Sequence, residues 1–369
     1  VEDAQAAGKK RHLPQAEKVM QNGIALRSLR AQDGPALAGL SYSVTDGGFI
    51  QYSANYQIDA FRAVEAIHGA VLGVAACAHE SSRMVGMGIV RFGRCQVEGK
   101  PYPYALLGNL IVHPDYRRQG LAARLVQWQV EKAREQIGDD GVIVTNFQVG
   151  NRVSHHVYNR WLGHHAGTLH FIPLRTDPEA PPSLPGVAAG PLDENEYSAF
   201  AEHHNAFYAG SNFFEPLSAG SLAELCRRSP FRTPFRHAYT AVDPSGRLLA
   251  GLVVMEEYRL KQMEIRGLPK TLEMLNNLFS IIPKDGAIRE VYLDHLWYAP
   301  GQVKAAHLLV DSIRWIWANR ATNVSVLVDP KGPLAPVFST HPWTVKAKTH
   351  MLFDAPEDIT PGRPICPIF

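Results

Sequence analysis

Two rhythms of apolar and polar positions run along this chain, and the places where one gives way to the other mark its elements. Alternating or continuous apolar runs predict strands at 24–30, 71–80, 84–92, 100–112 and 142–149. Helical spacing predicts a helix over 119–136, with Leu121, Leu125, Trp128 and Lys132 on one face and Ala122 and Gln129 beside them. A shorter helix over 151–162 opens on Asn151, a favourable N-cap. Residues 31–68 read as helical stretches broken at Gly34-Pro35, Asp46-Gly47-Gly48 and Asn55. Ser81 and Ser82 join two strands as a hairpin, and a pair of short strands over 164–174 closes the unit near Arg175.

Residues 176–190 are proline-rich and predict an extended linker. The same order of elements then returns faintly: a helix over 195–207, strands over 237–242 and 247–258 around the turn Asp243-Pro244-Ser245-Gly246, and a strand over 289–298. An amphipathic helix over 302–320, carried by Ala306, Leu309, Val310, Ile313 and Ile316, leads to a buried strand over 323–328 and a closing strand over 345–353. Residues 259–284, with a Met263, Met274 and Phe279 stripe, read as an inserted helical segment. Such a stripe is more often core than ligand site. The expected division is a flexible segment 1–22, a domain 23–175, the linker 176–190, a second domain 191–355 and a tail 356–369.

Composition changes this picture little. The 369 residues exceed a usual single core, and 46% hydrophobic with 20% charged residues is ordinary for globular structure. A formal charge of +2 gives no reason to expect a nucleic-acid partner. No apolar run is long enough for a membrane span or a signal peptide, so no membrane partner and a cytoplasmic location are the default expectations. Cys77, Cys95, Cys226 and Cys366 are scattered and form no disulfide framework. The pairs His155-His156, His164-His165 and His203-His204 suggest metal, but adjacent residues on a helix point about 100° apart and rarely share one ion, so no metal is expected.

The chemistry concentrates in LIVHPDYRRQGLA, residues 110–122. Leu110, Ile111 and Val112 supply a strand, Pro114 ends its ladder, and Gly120 lets a backbone approach a ligand. The helix then begins at once, so its unpaired first-turn amides and its positive dipole end face the turn, where Arg117 and Arg118 add charge. That is a site for a pyrophosphate. The pattern Val112-x-Pro114-x-x-Arg117-x-x-Gly120-x-Ala122 resembles the acyl-CoA signature of the GNAT superfamily of N-acyltransferases. A second element follows at the distance that family's next motif needs, with Asn151, Ser154 and Tyr158 on one helical face.

The resemblance implies an α/β (α+β) fold of two GNAT-like domains, each a mixed, mostly antiparallel twisted sheet flanked by helices, with the second copy degenerate. Tyr298 to Lys304, YAPGQVK, lacks the signature, and Gly301 there reads as a turn glycine. The implied cofactor-binding residues are Leu110, Ile111, Val112, Arg117, Arg118, Gln119, Gly120, Leu121, Ala122 and Asn151, with acetyl-CoA as acyl donor and an amine-bearing acceptor as its partner. The matching Tyr158 stands near the thioester sulfur and protonates the departing thiolate, although a tyrosine beside Trp161 and Leu162 is often a core aromatic. Backbone amides at the Val112 strand would polarise the thioester carbonyl.

The family often carries a glutamate before the turn. Asn109 stands there instead, which leaves the base unassigned, with His79 and Glu80 as candidates. A non-catalytic acyl-CoA sensor is the alternative reading. Phe49, Tyr52, Tyr56, Phe213 and Phe214 suit either an aromatic-lined cleft or core packing.

Overall fold

The computed structural model describes residues 23–45, 51–79, 82–270, 273, 274, 276, 282–338 and 346–368. The expected segment 1–22, the break at 46–48, Phe49, Glu80 and Phe279 lie outside them. In the first half, β1 (Ile24–Ser28), β3 (Val71–Ala78), β4 (Met84–Val97), β5 (Lys100–Val112) and β6 (Val142–Gln148) lie side by side. The first four pair antiparallel, and β6 runs parallel to β5 because α3 (Leu121–Ile137) carries the chain across. Leu121, Leu125, Val126, Val130 and Ala133 form the buried stripe of α3, and Gly138 in the left-handed region ends it.

The second half repeats this order with β8 (Ala188–Pro191), β9 (Arg236–Val242), β10 (Leu248–Met255) and β13 (Glu290–Tyr298), followed by the crossover helix α7 (Val303–Ile316) and the parallel strand β14 (Asn323–Val328). The closing strands are exchanged. β7 (His164–Arg175) pairs with β14 of the second half, β15 (Ala347–Asp354) pairs with β6 of the first, and the two also pair with each other. One twelve-stranded sheet results. β7 is a single strand where a pair of short ones was expected, and it joins the halves instead of closing the first.

Two further expectations are corrected. Residues 51–56, read as part of a helical stretch, form the strand β2 (Gln51–Tyr56), lying between α1 (Gly34–Ser43) and α2 (Ala60–His68). The start of the expected helical insertion is the strand β11 (Lys261–Gly267), which pairs antiparallel with β2 and with β12 (Ala287–Ile288). Each strand finds its partner in the other half of the chain, so local helical breaks and stripes were a poor guide. The tail packs onto the first half, where Ile365 and Ile368 are buried in a cluster with Cys95, Val97 and Tyr104.

Both crossover strands are bulged. The β4–β5 register shifts between Met87 and Ile89, opposite Asn109, whose φ is 49°. The β10–β13 register shifts between Gly251 and Val253, opposite His295, whose φ is 50°. Past each bulge the parallel neighbours separate: β5 and β6 pair only from Tyr104–Val142 to Leu107–Thr145, although both strands continue. This wedge between strands positions the site.

Candidate active site

At the first wedge lies a cavity of about 1110 Å³. Leu110, Ile111, Val112, Arg117, Arg118, Gly120, Leu121, Ala122 and Asn151 line it, so the strand end, the basic turn and the start of α4 (Arg152–Tyr158) are brought together. Arg118 and Gly120 both lie in the left-handed region, with φ of 62° and 76°, which turns successive amides toward one side. The first amide to bond back into α3 is that of Arg124, to Gly120 O at 3.2 Å. Among the described residues the amides of Leu121, Ala122 and Ala123 make no hydrogen bond, and all three residues line the cavity. Arg117 Nε donates to Val112 O at 3.1 Å, tying the turn to the strand end.

Two of the expected site residues stand apart from this lining. Gln119 is turned back, its Nε2 donating to Asp115 O at 3.3 Å. Tyr158 is buried, 2% exposed, with its ring stacked on Phe147 at 6.2 Å, one residue beyond the lining residue Val157. Asn151 caps α4 by accepting from the Ser154 amide at 3.1 Å. His79 is exposed and lines neither of the two cavities described here. Tyr52 and Tyr56 line the first cavity, whereas Phe213 is fully buried in the core.

Gln129 is a residue whose importance the periodicity concealed. It is fully buried on α3, and its Nε2 donates to Ile89 O at 2.7 Å and Gly108 O at 3.0 Å, the carbonyls that flank the bulge. A Cβ on Gly88 would meet the Gln129 amide at 2.9 Å, so the glycine leaves room for it. A polar residue on the apolar face of an otherwise amphipathic helix was the available signal.

A second cavity of about 540 Å³ lies between the two halves. Among the described residues, only Asn109 and Lys261 line both. Lys261 Nζ lies 3.2 Å from Glu257; burial alone would lower its pKa, but the Glu257 carboxylate outweighs this and holds the ammonium above its usual range. Asp294 faces the second cavity with its side chain 43% exposed. Burial pushes its pKa up, yet His295, then Arg236 and Arg91, outweigh that and keep it ionised. Burial and then the neighbouring cations push His68 down to about 3, so it is neutral. No group of residues suited to hold a metal is found among the described residues.

Residues 46–164 match the family model described as the acetyltransferase (GNAT) family. No curated protein sequence matches significantly. The fold is similar to that of Saccharomyces cerevisiae N-myristoyltransferase with bound myristoyl-CoA, at a TM-score of 0.64 and 12% identity, covering 93% of this chain and 84% of that one. It is similar to a GCN5-related N-acetyltransferase from Sphaerobacter thermophilus, at a TM-score of 0.56 and 14% identity, covering 95% and 99%. It is also similar to the GCN5-related glucosamine N-acetyltransferase region of a fungal multi-domain GH3 β-N-acetylglucosaminidase, at a TM-score of 0.58 and 13% identity, covering 93% and 40%. At these identities the likeness is one of fold.

Proposed function

We propose that this chain, a member of the GNAT superfamily through its residues 46–164, moves an acetyl group from acetyl-CoA to the primary amine of an acceptor by direct transfer. The observation that carries the proposal is that Asn109 and Lys261 line both cavities. Donor and acceptor enter from opposite sides and need a single place of contact, and the bulge of β5 provides one.

The diphosphate of the donor rests on the free amides of Leu121, Ala122 and Ala123, beside Arg117 and Arg118. The pantetheine follows the wedge past Asn151, which brings the thioester to the bulge. There the neutral amine attacks the carbonyl carbon: a C–N bond forms, the C–S bond breaks, and the amine proton passes to water in the second cavity. Amides released from the β4–β5 ladder by the bulge stabilise the oxyanion. Tyr158, one residue from the lining residue Val157, is the assigned acid: its hydroxyl turns into the cavity to give the departing thiolate its proton, and the phenolate recovers a proton from the water that took the amine's. Asn109 is not a base in this scheme. Its short amide side chain tolerates the left-handed backbone that the bulge requires.

Thiol release from acetyl-CoA in the presence of a panel of primary amines tests the proposal. Amine-dependent release with a matching N-acetyl product supports it. Tight binding of acetyl-CoA without release under any amine would instead make the chain an acyl-CoA-binding module, and faster release from longer acyl-CoA thioesters would reassign the donor.

A further inference from the structure

Resting on that reading, the second cavity also says something about the acceptor. Four cations surround its His68: Arg91, Lys261, Arg236 and Arg228. Three have partners. Arg91 pairs with Glu215 at 2.8 Å and Lys261 with Glu257 at 3.2 Å. Arg236 donates to Ala66 O and Ile67 O, both at 2.8 Å, and so caps the C-terminal end of α2.

Arg228 differs from these. It follows α6 (Ala219–Arg227) in the second half and reaches across to the first, where a Cβ on Gly69 would lie 2.7 Å from its Nη1. Arg228 lines the cavity, its Nε is buried, and that Nε has no hydrogen-bond partner. Among the described residues the guanidinium forms no ion pair. A half-buried guanidinium whose buried Nε lacks an acceptor is a place where an incoming anion gains both a counter-charge and a hydrogen bond. The protein sets a carboxylate in contact with Arg91 and Lys261, whereas the acidic neighbour of Arg228, the exposed Glu224, acts on it without an ion pair, and α2 has already been capped by Arg236.

We propose that Arg228 is the anion anchor of the acceptor site, and that the natural acceptor is a small molecule carrying a carboxylate or phosphate as well as its reactive amine. A cavity of about 540 Å³ suits a compact molecule of that kind. The anionic group meets the guanidinium in forked geometry, and the amine is directed to the junction at Asn109. Asp294, ionised and facing the same cavity, attracts the ammonium form as it arrives.

The test uses acceptors that differ only in charge: an α-amino acid against its amide, and a phosphorylated amino alcohol against the parent amino alcohol. In the full chain the anionic member of one pair shows a KM about ten- to a hundredfold lower, as expected for one or two charge-assisted hydrogen bonds. The responding pair distinguishes carboxylate from phosphate. Arg228→Gln brings the ratio to about one, and Arg228→Lys keeps part of it. Equal KM values within both pairs, or a preference that survives Arg228→Gln in protein that still binds coenzyme A, overturn the assignment. If no amine releases thiol, the transfer reading fails separately. Calorimetry of the same four compounds with coenzyme A-loaded protein then decides the anchor, since heat from an anionic member that vanishes in Arg228→Gln upholds it and its absence from the unmodified chain overturns it.

Discussion

Asn109 and His295 occupy matching positions in the two halves: each sits in the left-handed region at the bulge of the strand that leads into a crossover helix. Their surroundings diverge. Asn109 is exposed to both cavities, whereas His295 Nδ1 meets His204 Nε2 at 3.3 Å, and Tyr208 Oη donates to Leu296 O at 2.6 Å. Side chains from α5 (Tyr197–Tyr208) thus pack on the second bulge, at the wall of the second cavity. The turn beyond it is also short. Tyr298 and Gly301 are separated by Ala299 and Pro300 alone, where residues 113–119 intervene between Val112 and Gly120, so the second half has no basic cradle.

Gln129→Leu is expected to lower stability by about 2 kcal/mol, because the buried Ile89 and Gly108 carbonyls lose their donor and cannot reach water. Chemical denaturation measures the loss. Turnover should fall with it as the bulge relaxes. A variant as stable and active as the parent would show that the bulge does not need its buried amide.

Tyr158→Phe separates proton donation from packing. The phenyl ring keeps the contact with Phe147, so stability and acetyl-CoA affinity should change little, while kcat falls by about a hundredfold for want of the acid. An unchanged kcat would make Tyr158 a core residue.

Acidification from pH 7 to 4.5 is expected to destabilise the fold. His68 and His204 are each pushed down to about 3, chiefly by burial, from an unfolded value of 6.5. A depressed histidine stabilises the fold above its unfolded pKa and loses that contribution as pH falls from 6.5 toward 3. Glu290, pushed up to about 7 by burial and then Glu257, acts oppositely, since its contribution is present below 4.5 and fades as pH rises through 7. Two histidines with the larger shifts outweigh it. Glu98 and Glu256, both near 2, lose theirs only below 4.5, outside this window. A denaturation midpoint that rises between pH 7 and 4.5 would show that the histidines are not buried as neutral rings.

Much of this site was legible in the chain. Residues 110–122 announced strand, turn and helix because each feature is local: a proline that ends a ladder, a glycine at positive φ and an amphipathic stripe. What was hidden depends on distant pairing. Met263 and Ile265 alternate along β11 in the rhythm of a strand, but nothing in 261–267 identifies 51–56 as its partner. The exchange of β7 and β15 was invisible for the same reason, as either strand matches either wedge edge. Asn109 was legible as a missing carboxylate and not as a backbone device, because positive φ is set by the register of β4 against β5. Arg228 carried no signal until α6 placed it beside Gly69.

The most direct measurement is calorimetric titration of coenzyme A into the parent chain and into Gly120→Val. Gly120 holds φ at 76° with open space where a Cβ would stand, so the cost of valine's branched Cβ is backbone strain of about 1–2 kcal/mol, relieved by turning the first amides of α3 away from the cavity. Saturable heat at one site in the parent, with affinity at least tenfold weaker in the variant, is the expected result. No heat in the parent, or equal affinity in both, would contradict an acyl-CoA diphosphate seated on the turn of residues 117–122.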